Sequence, residues 1–232
     1  MSLLFTKVKD GNTVTLNLTT TGYTVLVIAI IALVLLGCAI FGKNSKSNTR
    51  QIAFSSVALA IAFVASMIKL FHLPMGGSVT LFSMFFVTLI GYWYGLGAGI
   101  TAAAAYGLLQ LVADPYIISV PQMLTDYILA YGALGLSGLF KNSKYGLIKG
   151  YITAILGRYF FAVLSGVIFF GSYSSLLNMK NSLGYSLIYN GAYIFSEAGI
   201  TLILLVVPNF NKSFRNGLSS VTQLAVGESR VN

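Results

Sequence analysis

Long uncharged apolar runs, separated by short polar breaks, dominate the chain. The first is Tyr23 to Phe41, nineteen residues without a charge. Six more follow at roughly 52–71, 79–94, 96–113, 121–140, 147–171 and 183–208. A helix needs about 20 apolar residues to cross a bilayer, so this pattern predicts seven transmembrane helices. The strict alternation of a transmembrane barrel is missing. The breaks carry turn chemistry: Pro74-Met-Gly-Gly-Ser78, Tyr94-Gly95, Asp114-Pro115, Lys141-Asn-Ser143 and Asn178-Met-Lys-Asn181. The first run begins late and exceeds the roughly 7–15 residues of a signal-peptide core, so it reads as a retained span. The chain then divides into 1–50 (polar N-terminus, extra helix, basic linker), 51–208 (six-helix membrane domain) and 209–232, a polar tail expected to be disordered and cytoplasmic.

Composition sharpens the class. Of 232 residues, 56% are apolar and 8% charged, with mean hydropathy +0.84. Soluble domains carry about 25% charged residues. Cys38 is the single cysteine, which excludes a disulfide scaffold. The fold class is therefore an all-α integral membrane protein. The net charge of +9 reads as a topology signal rather than as nucleic-acid affinity. With the N-terminus outside, the inner segments hold Lys43, Lys46, Arg50, Lys141, Lys144, Lys149, Lys212, Arg215 and Arg230; the outer ones hold Lys7, Lys9, Lys69 and Lys180. Nine against four favours an external N-terminus and a cytoplasmic C-terminus.

Neither a phosphate-binding GxxxxGK[ST] loop nor an HExxH pair occurs, so the chain carries no ATP motif, and no metal site is expected. His72, the lone histidine, falls in a loop and reads as solvated. The informative groups are intramembrane charges, which are expensive to bury. Asp126 enters roughly 8 Å below the outer face and Asn190 roughly 10 Å, from the 1.5 Å rise per residue. Tyr116, Gln122, Tyr127, Phe169, Phe170, Tyr173, Tyr185 and Tyr189 gather at that level. An interfacial aromatic belt explains part of this set. It does not explain Asp126 and Asn190. Rings with one carboxylate suit a flat cation, held by ring quadrupoles and a charge-assisted hydrogen bond. Arg158 and Glu197 sit at one depth on consecutive antiparallel spans and are expected to form a structural ion pair; a proton or ion relay is the alternative. Ala58 and Ala62, four apart in the second span, permit close helix approach, either within the bundle or from a partner.

From about Arg50 to Pro208 the chain resembles the thiamine-specific S components of energy-coupling-factor (ECF) transporters. The stretches that carry this are Leu73-Pro-Met-Gly-Gly-Ser-Val-Thr80, Gly107-Leu-Leu-Gln-Leu111, Pro115-Tyr-Ile117, Asp126-Tyr-Ile-Leu-Ala130, Gly132-Ala-Leu-Gly-Leu-Ser-Gly-Leu-Phe140, Leu164-Ser-Gly-Val-Ile-Phe-Phe-Gly-Ser-Tyr173 and Tyr185-Ser-Leu-Ile-Tyr-Asn-Gly191. The resemblance implies a six-helix bundle with a vitamin pocket near the outer face of the plasma membrane, preceded here by one extra helix. It implies thiamine or a related pyrimidine compound as ligand, with Tyr116, Asp126, Tyr127, Phe170, Tyr185 and Asn190 as binding residues. It implies docking through Ala58 and Ala62 on a transmembrane coupling subunit, and two cytoplasmic ATPase subunits that use ATP; no cofactor is expected on this chain. The chain departs from the pattern at Ala162, where the family has histidine, and at Phe170, where it has tryptophan. An intramembrane enzyme or assembly protein using Asp126 or Glu197 is the competing reading.

Overall fold

The computed structural model describes residues 5–10, 13–19, 48–170, 181–206 and 212–227, with Thr21, Gly22, Thr24, Val25 and Ile28. The expected first span, Tyr23 to Phe41, lies almost wholly outside these. Two strands come first, β1 (Phe5–Asp10) and β2 (Thr13–Leu18), paired antiparallel with Phe5 opposite Leu18. Val14, Leu16 and Leu18 alternate with polar residues, the period of a strand.

The membrane unit starts at α1 (Thr49–Met67), whose Asn48 side chain accepts from Arg50 N at 3.4 Å. The expected span 52–71 ends early, at Met67. Strands β3 (Lys69–His72) and β4 (Ser78–Thr80) follow as an antiparallel hairpin. Its turn, Pro74–Gly76, has no N–H at Pro74 and needs a positive φ of 89° at Gly76. Helix α2 (Ser83–Tyr94) therefore has only 12 residues, roughly 18 Å at 1.5 Å per residue. That falls short of the roughly 30 Å of a bilayer's hydrocarbon core, and the hairpin stands before the helix where further turns would otherwise begin. Glu197 closes the α2 N-terminus: its carboxylate accepts from Met84 N (2.9 Å), Ser83 Oγ (3.1 Å) and Thr80 Oγ1 (2.6 Å).

Helices α3 (Leu96–Ala113), α4 (Val120–Phe140), α5 (Gly146–Phe169) and α6 (Ser182–Val206) complete the bundle. Among the described residues, five helices are long and apolar enough to cross a membrane, and α2 is the short sixth. Val57, Val64, Phe160, Ile188 and Ile203 point outward, more than half exposed, as lipid-facing residues do. Inside, Met84, Phe85, Ile90, Trp93, Tyr106, Leu134, Tyr151 and Ile194 form one core. Glycine lets α3 and α4 touch: a Cβ on Gly107 would collide with the Tyr127 carbonyl.

Two expectations need correction. The tail from Asn209 was expected to be disordered, yet Lys212–Val226 forms a seventh helix, α7. Phe214, Leu218, Thr222 and Ala225 recur at helical spacing, and this face packs on α1 and α2. Ala58 and Ala62, expected to dock a partner, are instead 3% and 0% exposed in the chain's own core, where Tyr106 Oη donates to the Ala62 carbonyl at 3.3 Å. Small side chains there admit the Tyr106 ring from α3.

Candidate ligand-binding site

One end of the bundle holds a cavity with about 1040 Å³ of empty space, its open mouth included. The shortness of α2 makes the room. Where a full helix would stand, the hairpin brings Gly76 and Gly77, which carry no side chain into the space. The hairpin is fastened across the bundle. Tyr189 Oη accepts from Gly77 N at 3.0 Å and donates to the Pro74 carbonyl. His72, expected to be free in a loop, sits in β3 with Nδ1 3.3 Å from the Gly77 carbonyl.

All six expected binding residues line this cavity: Tyr116, Asp126, Tyr127, Phe170, Tyr185 and Asn190. Helix α4 places Asp126 through a π-helical turn, Leu124–Leu129, which widens the backbone near its start. Such turns recur at functional sites because they re-aim side chains. Gln122, 1% exposed, organises the neighbourhood. Its Nε2 donates to Asp126 Oδ2 (2.6 Å) and to the Tyr116 carbonyl (3.1 Å), and its Oε1 accepts from Ile118 N (3.1 Å). Tyr127 adds a second tether, accepting from Tyr116 N at 2.8 Å and donating to the Asp114 carbonyl at 3.0 Å. Two stacked pairs supply ring faces: Tyr116 on Phe170 (6.0 Å between centroids, 23° between planes) and Tyr185 on Tyr189 (5.6 Å, 21°). Lys69 and Asp114, also in the wall, form an ion pair.

Asn190 is more committed than its sequence position suggested. Its Nδ2 reaches the carbonyls of Ala162 (3.2 Å) and Ser186 (3.0 Å) and Ser186 Oγ (3.1 Å), while Oδ1 accepts from Tyr193 Oη at 2.9 Å. It shapes the wall, and only a second lone pair of Oδ1 is left for a ligand.

The Arg158–Glu197 pair is not made. Glu197 is satisfied by its three donors on β4 and α2, including a helix N-terminus that favours negative charge. The Arg158 guanidinium lies over the Tyr131 ring at 4.1 Å, in the cavity wall, with no ion pair or hydrogen bond among the described residues. Equal depth did not make them partners because the two side chains leave their helices in different directions. Sequence reasoning thus missed Gln122 as an organiser and Arg158 as a wall residue. For Gln122 the signal was its spacing, four residues before Asp126, which puts both on one helix face.

Residues 52–215 match the family model described as Thiamine transporter protein (Thia_YuaJ). The chain belongs to this family. It is similar to the thiamine transporter ThiT of Bacillus subtilis (strain 168), 34% identical over 179 residues, covering 70% of this chain and 91% of that one. It also matches the solved structure of ThiT from Listeria monocytogenes with a TM-score of 0.56 and 26% identity, covering 70% of this chain and 98% of the other. Membership makes the chain a multi-pass membrane transport protein and removes the enzyme reading. The family match spans the whole cavity and stops inside α7.

Proposed function

We propose that this chain binds thiamine, or a closely related pyrimidine compound, in the cavity and acts as the S component of an ECF importer in the plasma membrane. The observation that carries the reading is the convergence of the six binding residues on one cavity with a half-buried carboxylate among ring faces. Asp126 uses Oδ2 for Gln122, which leaves Oδ1 to accept from the amino group of the aminopyrimidine. The cationic thiazolium rests on ring faces. Charge sets its direction: Arg158 lies twelve residues before Phe170 on α5, roughly 18 Å along the axis by the rise per residue. The positive ring is repelled from Arg158 and sits toward Tyr116 and Phe170 at the mouth, with the neutral pyrimidine inward.

The basic segments 141–149 and 212–215 follow the helix ends opposite the cavity, which supports an outward-facing mouth and a cytoplasmic C-terminus. Transport then draws on a transmembrane coupling subunit and two ATPases, since this chain has no nucleotide motif. With Ala58 and Ala62 buried, the coupling subunit meets α1 on its outward side, where Ala53, Ser56 and Ala60 are exposed. Calorimetric titration of the purified protein with thiamine and with its isolated pyrimidine fragment tests the ligand assignment. A wild-type chain that binds neither refutes it.

A further inference from the structure

We propose that α7 is a latch on ligand retention: docked against α1 and α2 it favours the arrangement in which the cavity holds its ligand, and undocked it favours release. The proposal rests on the reading of the cavity as a thiamine site.

Three independent observations support it. The first is that the latch is an addition to the bundle. The family match ends at residue 215, so most of Lys212–Val226 lies beyond it.

The second is that the contact is specific while the helix itself is weak. Trp93 Nε1 donates to Thr222 Oγ1 at 3.1 Å, Tyr94 Oη donates to the Ala225 carbonyl at 3.1 Å, and the Phe214 ring lies 6.2 Å from that of Phe85. Thr222 and Ala225 are buried. Yet the 15 residues include Gly217 and the poor helix formers Asn216, Ser219, Ser220 and Thr222. Isolated helices of about 12–15 residues are marginal in water even for good formers. Helix α7 therefore depends on its seat, and docking and folding are coupled.

The third is that the seat and the cavity share one rigid piece. Helix α2 ends at Trp93 and Tyr94, which hold α7. Its other end begins at Ser83, separated by two residues from the hairpin whose Gly76, Gly77, Ser78 and Thr80 line the cavity. Ser83 lines it too, and Thr80, Ser83 and Met84 N clamp Glu197. Helix α7 lies along this 12-residue helix from Phe85 to Tyr94, so its departure shifts the helix whose first residues line the cavity.

Coupling of this kind is reciprocal: if docked α7 strengthens ligand binding, bound ligand must strengthen α7 docking by the same factor. The experiment uses the full chain in lipid nanodiscs with thiamine as probe. Amide hydrogen exchange of residues 214–226 is measured with and without thiamine, and thiamine dissociation is measured for wild type, the Phe214→Ala/Thr222→Val double variant, and a chain ending at Asn211. We expect thiamine to slow exchange across α7, and both altered chains to release thiamine about fivefold faster, the lower end of typical coupling factors. Association rates should change little, because the mouth is untouched. Exchange in α7 that ignores thiamine overturns the latch, as does wild-type release from the shortened chain. If wild type binds thiamine and α7 is indifferent, the latch alone fails. If wild type does not bind thiamine, the cavity assignment fails and takes the latch with it.

Discussion

Substituting Asp126→Asn isolates the interaction on which the ligand assignment depends. In the wild-type chain one carboxylate oxygen is held by Gln122 Nε2 at 2.6 Å, and the other remains an acceptor. In the variant the single amide oxygen stays with Gln122, because turning it would set two N–H donors against each other. The Asn Nδ2 then points at the ligand, whose amino group is itself a donor. A hydrogen bond to a charged group contributes about 1.5–3 kcal/mol. At about 1.4 kcal/mol per decade, thiamine should bind roughly ten- to hundredfold more weakly. The isolated pyrimidine fragment should lose a similar factor, since it keeps the amino group. Fold stability without ligand should not fall, because the substitution is isosteric and removes a half-buried charge. Titration calorimetry gives the two affinities, and thermal unfolding in detergent gives the control. Affinities within twofold of wild type, on a folded variant, would refute the reasoning and move the ligand away from α4.

Tyr127→Phe removes the hydroxyl that tethers both Tyr116 N and the Asp114 carbonyl, so thiamine affinity should fall severalfold while the ring packing survives; calorimetry reads it. Arg158→Gln and Glu197→Gln should show a coupling in the double variant well below the roughly 3–5 kcal/mol that breaking a buried ion pair costs, because the two charges are not in contact. A coupling of several kcal/mol in thermal unfolding would restore the ion pair. Ala62→Leu overpacks the core beside Tyr106 and should cost about 1–3 kcal/mol of stability, whereas Ala60→Leu, on the outward side of α1, should leave stability and thiamine binding intact and impair uptake in cells. Tyr185→Ala, which removes a ring stacked on Tyr189, should weaken thiamine binding more than Tyr185→Phe does.

The apolar runs alone determined that the chain is helical and crosses a membrane, because lipid demands about 20 apolar residues per span wherever they end up in the bundle. They also placed Asp126, Asn190 and the tyrosines at one depth, since depth along a helix is a local count of residues. The six expected binding residues meet in one cavity for that reason. What depth cannot supply is direction around each helix axis. Residue counts put Arg158 and Glu197 near one level, but one rests on Tyr131 and the other caps α2. Ala58 and Ala62 marked a close contact, and only the packed bundle shows that Tyr106 makes it. Hydropathy likewise reads residues 79–94 as one span, although Thr80 is strand and the helix starts at Ser83. That change is decided by the carboxylate of Glu197, more than a hundred residues away in sequence, which gives the N-terminus of α2 its partner. The cavity has its room because a hairpin stands where the first turns of α2 were expected, and the partner that holds this start lies beyond the reach of any local pattern.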